Sequence, residues 1–173
     1  MSSDTRWLST EESAAWVRLV AITELLPNAL DAQLLRDAGL THFEYGALMA
    51  LAGAPERTMV MTELASRTNA TLPRLSHVAR RLEERGLIER SPCRTDRRAT
   101  NATITEAGLD LIDQAAPGHV DTVRANVLDL LTEEQVGQLY QIAGAVLTQL
   151  DPEERLAATS CQFSEGPAVA RAG

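Results

Sequence analysis

The sequence predicts a mainly α fold with a small β wing, and three observations carry that reading. Apolar residues recur at steps of three and four through most of the chain, the spacing of one face of an amphipathic helix. Thr41 with Glu44 and Thr132 with Gln135 form capping boxes that mark helix starts. Only two short stretches, 87–91 and 101–105, read as a strand pair, and they flank one polar loop.

The first helix is expected over 11–38. Trp16, Leu19, Val20, Leu26, Leu30 and Leu34 lie near helical spacing, Pro27 should kink or split the run, and Gly39 is the stop. A second helix starts at Thr41, with Phe43, Ala47, Leu48 and Leu51 inward, and ends at Gly53 and Pro55. An extended piece over 58–61 follows. Thr62 is expected to cap a short helix, 63–68, and residues 69–71 form a turn. Thr71 caps the next helix, which tolerates Pro73 in its first turn and carries Leu72, Leu75, Ala79 and Leu82 as its apolar stripe. Gly86 ends it, and the two strands with their loop, 92–100, come next. From Thr105 a long helical stretch keeps its rhythm through Leu109, Ile112, Ala116, Val120, Val123, Val127 and Leu130, with a kink expected at Pro117-Gly118. The last helix places Val136, Leu139, Ala143, Val146 and Leu150 on one seam suited to helix pairing. Residues 1–10 and 151–173 are expected to be mobile ends.

Length and composition bound the class. A chain of 173 residues suits one domain, or one domain with extra helices. Apolar residues make up 45%, enough for a core, and at 3% aromatics that core must be filled by Leu and Ala. No apolar run approaches the roughly 18 residues of a membrane span. The opening stretch lacks the basic-then-apolar order of a signal peptide, so a cytoplasmic protein with no membrane partner is expected. Cys93 and Cys161 match no metal or redox spacing, and the three histidines form no i, i+4 ligand pair, so neither metal nor cofactor is expected.

A net charge of −8 argues, by itself, against a nucleic-acid partner. Its distribution argues the other way. Nine of the sixteen arginines fall within residues 67–98, against four acids, which makes that window +5 and the remainder −13. Within it Arg74, His77 and Arg81 recur at i, i+3, i+7, flanked by Ser76 and Arg80, opposite the apolar stripe of their helix. Such a face fits a major groove, where Arg pairs with guanine and Ser serves a base edge or a phosphate. The preceding short helix can brace the backbone through Thr62, Ser66 and Arg67, with Thr71 at the turn. Arg94, Arg97 and Arg98 in the loop, beside Asp96, suit phosphates or a narrow minor groove. Short helix, tight turn, Arg-rich helix, strand, basic loop, strand: this order describes a winged helix-turn-helix lobe over 41–105.

The run from Met61 to Thr68, the segment from Arg80 to Arg90 with its L-E-x-x-G-L-I-x-R core, the Asp96-Arg97-Arg98 wing and the Ile104-Thr105-Glu106-Ala107-Gly108 strand end resemble the MarR family of bacterial regulators. Ile104 stands where that family usually has Leu. The resemblance covers roughly 11–150. It implies a homodimer interlocked through helices 11–38 and 106–150, an imperfect palindromic operator on double-stranded DNA, and an Asp96/Arg98 pair that shapes the wing. It also implies repression relieved by a small-molecule effector, for which Trp16, His42, Tyr45 and Met49 are the candidate pocket residues. A regulator without a ligand, or a redox-responsive one acting through Cys93 beside Arg90 and Arg94, are the alternatives. No G-x-S-x-G, P-loop, dinucleotide fingerprint or H-E-x-x-H is present, so an enzyme is not expected.

Overall fold

The computed structural model describes residues 5–93, 96 and 98–156. Its first helix, α1 (Thr10–Ala38), starts one residue before the expected position because Ser9 and Glu12 form a full capping box. It continues as one α-helix through Pro27. Gly39 ends it in the left-handed conformation (φ 61), which costs glycine little and lets its amide bond back to α1 carbonyls. Helix α2 (His42–Ala52) begins at the Thr41/Glu44 capping box as expected.

The extended piece becomes a third strand. Strand β1 (Thr58–Val60) pairs antiparallel with β3 (Thr100–Ile104), which also pairs with β2 (Ile88–Pro92), giving the order β1-β3-β2. Thr58 faces Thr103 across the outer pair, and their hydroxyls are 2.8 Å apart. Because β1 runs straight into α3 (Met61–Arg67), the helix starts at Met61 with Val60 at its cap position and no side-chain cap. Thr62 is therefore inside the first turn and exposed, not the cap the sequence suggested. Helix α4 (Leu72–Glu84) does take Thr71 as its cap. Its buried face, however, is Leu75, Val78, Ala79 and Leu82; Leu72 is 41% exposed at the protruding N-terminal end, and Val78 replaces it in the stripe.

Helix α5 (Glu106–Asn126) passes Pro117-Gly118 without interruption and packs along α1. It ends at Asn126, short of the expected continuation, and a 3-10 turn over Leu128–Leu130 takes its place. Helix α6 (Glu133–Leu150) begins at the Thr132/Gln135 capping box. One core gathers Leu34, Leu40, Leu48, Leu51, Leu64, Leu75, Leu82, Ile88 and Ile112, so α2, α3, α4, the sheet and the facing parts of α1 and α5 enclose it. No residue of α6 is buried. Among the described residues no helix is long and apolar enough to cross a membrane.

Candidate nucleic-acid interface

The lobe built by α3, α4 and the β2–β3 wing presents most of the residues expected at DNA. Thr62 and Ser66 are exposed on α3, and with Thr71 they line a cleft of about 700 Å³ bounded on its other side by Leu147, Leu150 and Leu156. Arg67 ends α3, 3.7 Å from Glu63. On α4, Arg74, His77, Arg80 and Arg81 are exposed and Ser76 is half-buried.

Two of those arginines have protein partners. The Arg74 guanidinium lies 4.4 Å from the centroid of the Phe43 ring, a cation–π stack. Arg81 donates to the carboxylate of Glu44. Glu44 is 2% exposed, and its other oxygen accepts from the Thr41 amide at 2.8 Å and the Thr41 hydroxyl at 3.0 Å. Burial pushes this carboxyl up, but the bonds from Thr41 and Arg81 outweigh it and hold the group below the ordinary carboxylate range. Arg85 donates to the carbonyl oxygens of Gly39 and Ala38 at 2.8 and 3.0 Å, a cation at the C-terminus of α1.

The other edge of α4 is fastened to the wing. Arg90 of β2 reaches Glu83 through its amide, Nε and Nη2, and the fork lowers the Glu83 carboxyl. This pair explains the seven-residue spacing of Glu and Arg in the L-E-x-x-G-L-I-x-R segment. At the wing tip the Asp96 carboxylate accepts the Arg98 amide at 2.9 Å, and the Ala99 amide donates to the Asp96 carbonyl at 2.9 Å. Asp96 thus shapes the turn through the Arg98 backbone, and the Arg98 side chain is exposed. Cys93 sits half-buried at the wing base, its amide bonded to the Ala99 carbonyl. Arg94 and Arg97 lie outside the described residues.

The expected pocket residues divide. His42 and Tyr45 come together around His119 of α5, one of the three histidines that show no ligand spacing in the sequence. The His42 and His119 rings stack with centroids 5.8 Å apart, and the Tyr45 ring is 4.8 Å from His119. Both Nδ1 atoms are buried without a hydrogen-bond partner among the described residues. Burial lowers both histidines; Asp31, which binds the His42 amide, partly offsets this for His42, and the neighbouring His42 adds to it for His119. Met49 is half-buried against the core. Trp16 is exposed on α1, about 22 Å along the helix from Asp31. Among the described residues, no three or more His, Cys, Asp or Glu side chains gather as a metal site.

A short brace helix, a basic helix held between α2 and a β wing, and an exposed wing arginine define a winged helix-turn-helix DNA-binding protein. A sequence model of the MarR family matches residues 38–99. The transcriptional repressor MprA of Escherichia coli (strain K12) is 30% identical over 128 residues, which is 71% of this chain and 69% of that protein. Sco3205, a MarR family transcriptional regulator from Streptomyces coelicolor solved in complex with DNA, superposes with a TM-score of 0.82 at 42% identity. That match covers 88% of this chain and 96% of the other. AbsC, a MarR family transcriptional regulator from the same organism, gives a TM-score of 0.78 at 34% identity, over 86% and 99% of the two chains. The chain belongs to the MarR family: it is a DNA-binding regulator of transcription and not an enzyme.

Proposed function

We propose that the chain is a homodimeric repressor that binds an imperfect palindromic operator and is released from it by a small-molecule effector. The observation that carries this reading is α6, an 18-residue helix with an apolar seam and no buried residue. A helix gains most of its stability from burying such a face, so a second copy supplies what the single chain lacks. Helices 11–38 and 106–150 then form the dimerisation region, and 41–105 the DNA-binding lobe. Two-fold symmetry places two α4 helices about one turn of DNA apart, near 34 Å, which is what makes the operator palindromic.

In this reading Thr62, Ser66, Arg67 and Thr71 brace the phosphate backbone, α4 enters the major groove, and Arg98 with its wing neighbours Arg94 and Arg97 reaches the minor groove. Repression follows the named activity of MprA. An effector is favoured by the polar junction at His42, Tyr45 and His119, where two ring nitrogens between α1, α2 and α5 lack partners among the described residues. The test is binding of the purified full chain to duplexes from upstream of its own gene, titrated with salt. Affinity should fall steeply as salt rises, because phosphate contacts release counterions. Arg98→Ala should weaken binding while the protein keeps the mass of two chains. Absence of binding to every upstream fragment at low salt would sink the repressor reading.

A further inference from the structure

Four faces run along α4, and protein occupies three of them. At about 100° per residue, Leu75, Val78, Ala79 and Leu82 share the face sunk in the core. Glu83 stands on one flank, bound by Arg90 of the wing. Arg74, Arg81 and Arg85 form a stripe on the other flank, and their partners are the Phe43 ring, the Glu44 carboxylate and the last carbonyls of α1. Pro73, His77, Arg80 and Glu84 share the fourth face, and all are exposed. Neither His77 nor Arg80 is hydrogen-bonded or ion-paired to another described residue.

Arg81 cannot reach a base without leaving Glu44, and Glu44 cannot follow it. A carboxylate 2% exposed and stripped of its cation is strongly disfavoured. Arg80, next in the chain and about 100° further round the helix, has no such tie. Resting on the reading of α4 as the DNA-entering helix, we propose that Arg81 is a positioning residue that locks α4 to the α1–α2 corner, and that Arg80 makes the base contact. Glu44 is the other half of the lock, and Arg85 anchors the same flank one turn on. The guanidinium of Arg80 then has the geometry to pair with O6 and N7 of a guanine.

The experiment selects duplexes from a randomised pool with the wild-type full chain, then measures binding of the selected duplex and a scrambled one across a salt series. Glu44→Gln and Arg81→Gln should each weaken both duplexes by the same factor, on the order of tenfold, and the double variant should lose no more than one of the singles. The salt slope should stay unchanged, since a lost phosphate contact would lower it by about 0.9. Arg80→Ala should cost roughly 5- to 150-fold on the selected duplex alone, and repeating the selection should relax one base position per half-site. The opposite pattern overturns the proposal: Glu44→Gln binding normally or more tightly, with Arg81→Gln losing discrimination. Melting curves check that each variant folds. If Arg81→Gln does not, Arg81→Lys replaces it; an unchanged sequence preference supports the lock and an altered one overturns it. A pool from which the wild type enriches nothing would overturn α4 as a reading helix, which is a different failure.

Discussion

His42 and His119 stack face to face at the junction of α1, α2 and α5, and each is held below its ordinary pKa by burial. The unfolded chain takes up these protons at about pH 6.5, while the folded chain resists until the pH is lower. Stability from this pair is therefore fully present above about pH 6.5 and is lost as the pH falls toward the folded values. The linkage slope cannot exceed about 1.4 kcal/mol per pH unit for each histidine, and partial solvent access keeps it lower. Glu44 and Glu83, both lowered, withdraw their contribution only below about pH 4.5, so the interval from 6.5 to 5 reports the histidines. Denaturant titrations should show stability dropping across that interval in the wild type and nearly flat in His42→Asn/His119→Gln; an equal drop in both would assign it elsewhere. At this scale the basic character of α4 was legible in the sequence, but the partners of its arginines were not. Counting Leu72 in the apolar stripe and omitting Val78 turns the supposed outer face by about 30°, enough to rank Arg81 ahead of Arg80. Glu44 was legible as half of a capping box. Its burial and its bond to Arg81, 37 residues away, depend on how α2 sits against α4.

The element boundaries that follow from local chemistry were readable, and those set by distant pairing were not. The Thr41/Glu44 and Thr132/Gln135 capping boxes and the Gly39 stop each depend on residues only a few positions apart; the Ser9/Glu12 box is equally local but was not among the expected helix starts. Strand β1, three residues long, exists because β3 lies beside it, and its presence moves the start of α3 away from Thr62. The join of wing and α5 shows the same mixture. Thr105 caps α5 through the Gly108 amide and donates its hydroxyl to the Gly86 carbonyl at 2.7 Å, so the strand end and the helix start are fastened to the end of α4. Gly108 lies so close that a Cβ there would stand 2.3 Å from the Leu87 carbonyl oxygen and 2.6 Å from Ile104 Cγ1. Backbone cannot yield as a flexible side chain can, so Gly108→Ala should destabilise the protein by about 1–3 kcal/mol. Gly46 in α2 has no described residue within 4 Å of its Cβ position, and Gly46→Ala should instead stabilise by about 0.5–1 kcal/mol. Thermal melts of the two variants should move in opposite directions. Equal shifts would mean that helix propensity, not the contact with Leu87, decides the response at Gly108.

Across the whole molecule, charge and apolar surface are partitioned between different regions. The basic window of 67–98 covers α4 and the wing, and the acidic excess lies in the rest of the chain. On the apolar side, Val136, Leu139, Tyr140, Val146 and Leu150 of α6 are exposed, as are Trp16, Val17, Leu19, Ile22 and Leu25 of α1 and Trp7 and Leu8 before it. Scattered exposed apolar residues are ordinary, but two helices that each leave a run of them uncovered suit an interaction surface. The seam on α6 was legible as a repeat of three and four; what covers it could not be read from one chain. In the proposed homodimer a second copy buries both seams, and folding and association become one equilibrium. The wild type should therefore sediment as two chains, and its melting temperature should rise with protein concentration. Leu139→Asp/Val146→Asp places two carboxylates inside the covered seam, where burial of unpaired charge is strongly disfavoured. That variant should sediment as single chains, lose the helical signal of α6, and bind the selected duplex with a shallower salt dependence, since one lobe neutralises about half the phosphates of two. A double variant that stayed dimeric would mean that α1 holds the pair together without α6, and the interface would then have to be sought along Trp16, Leu19 and Ile22.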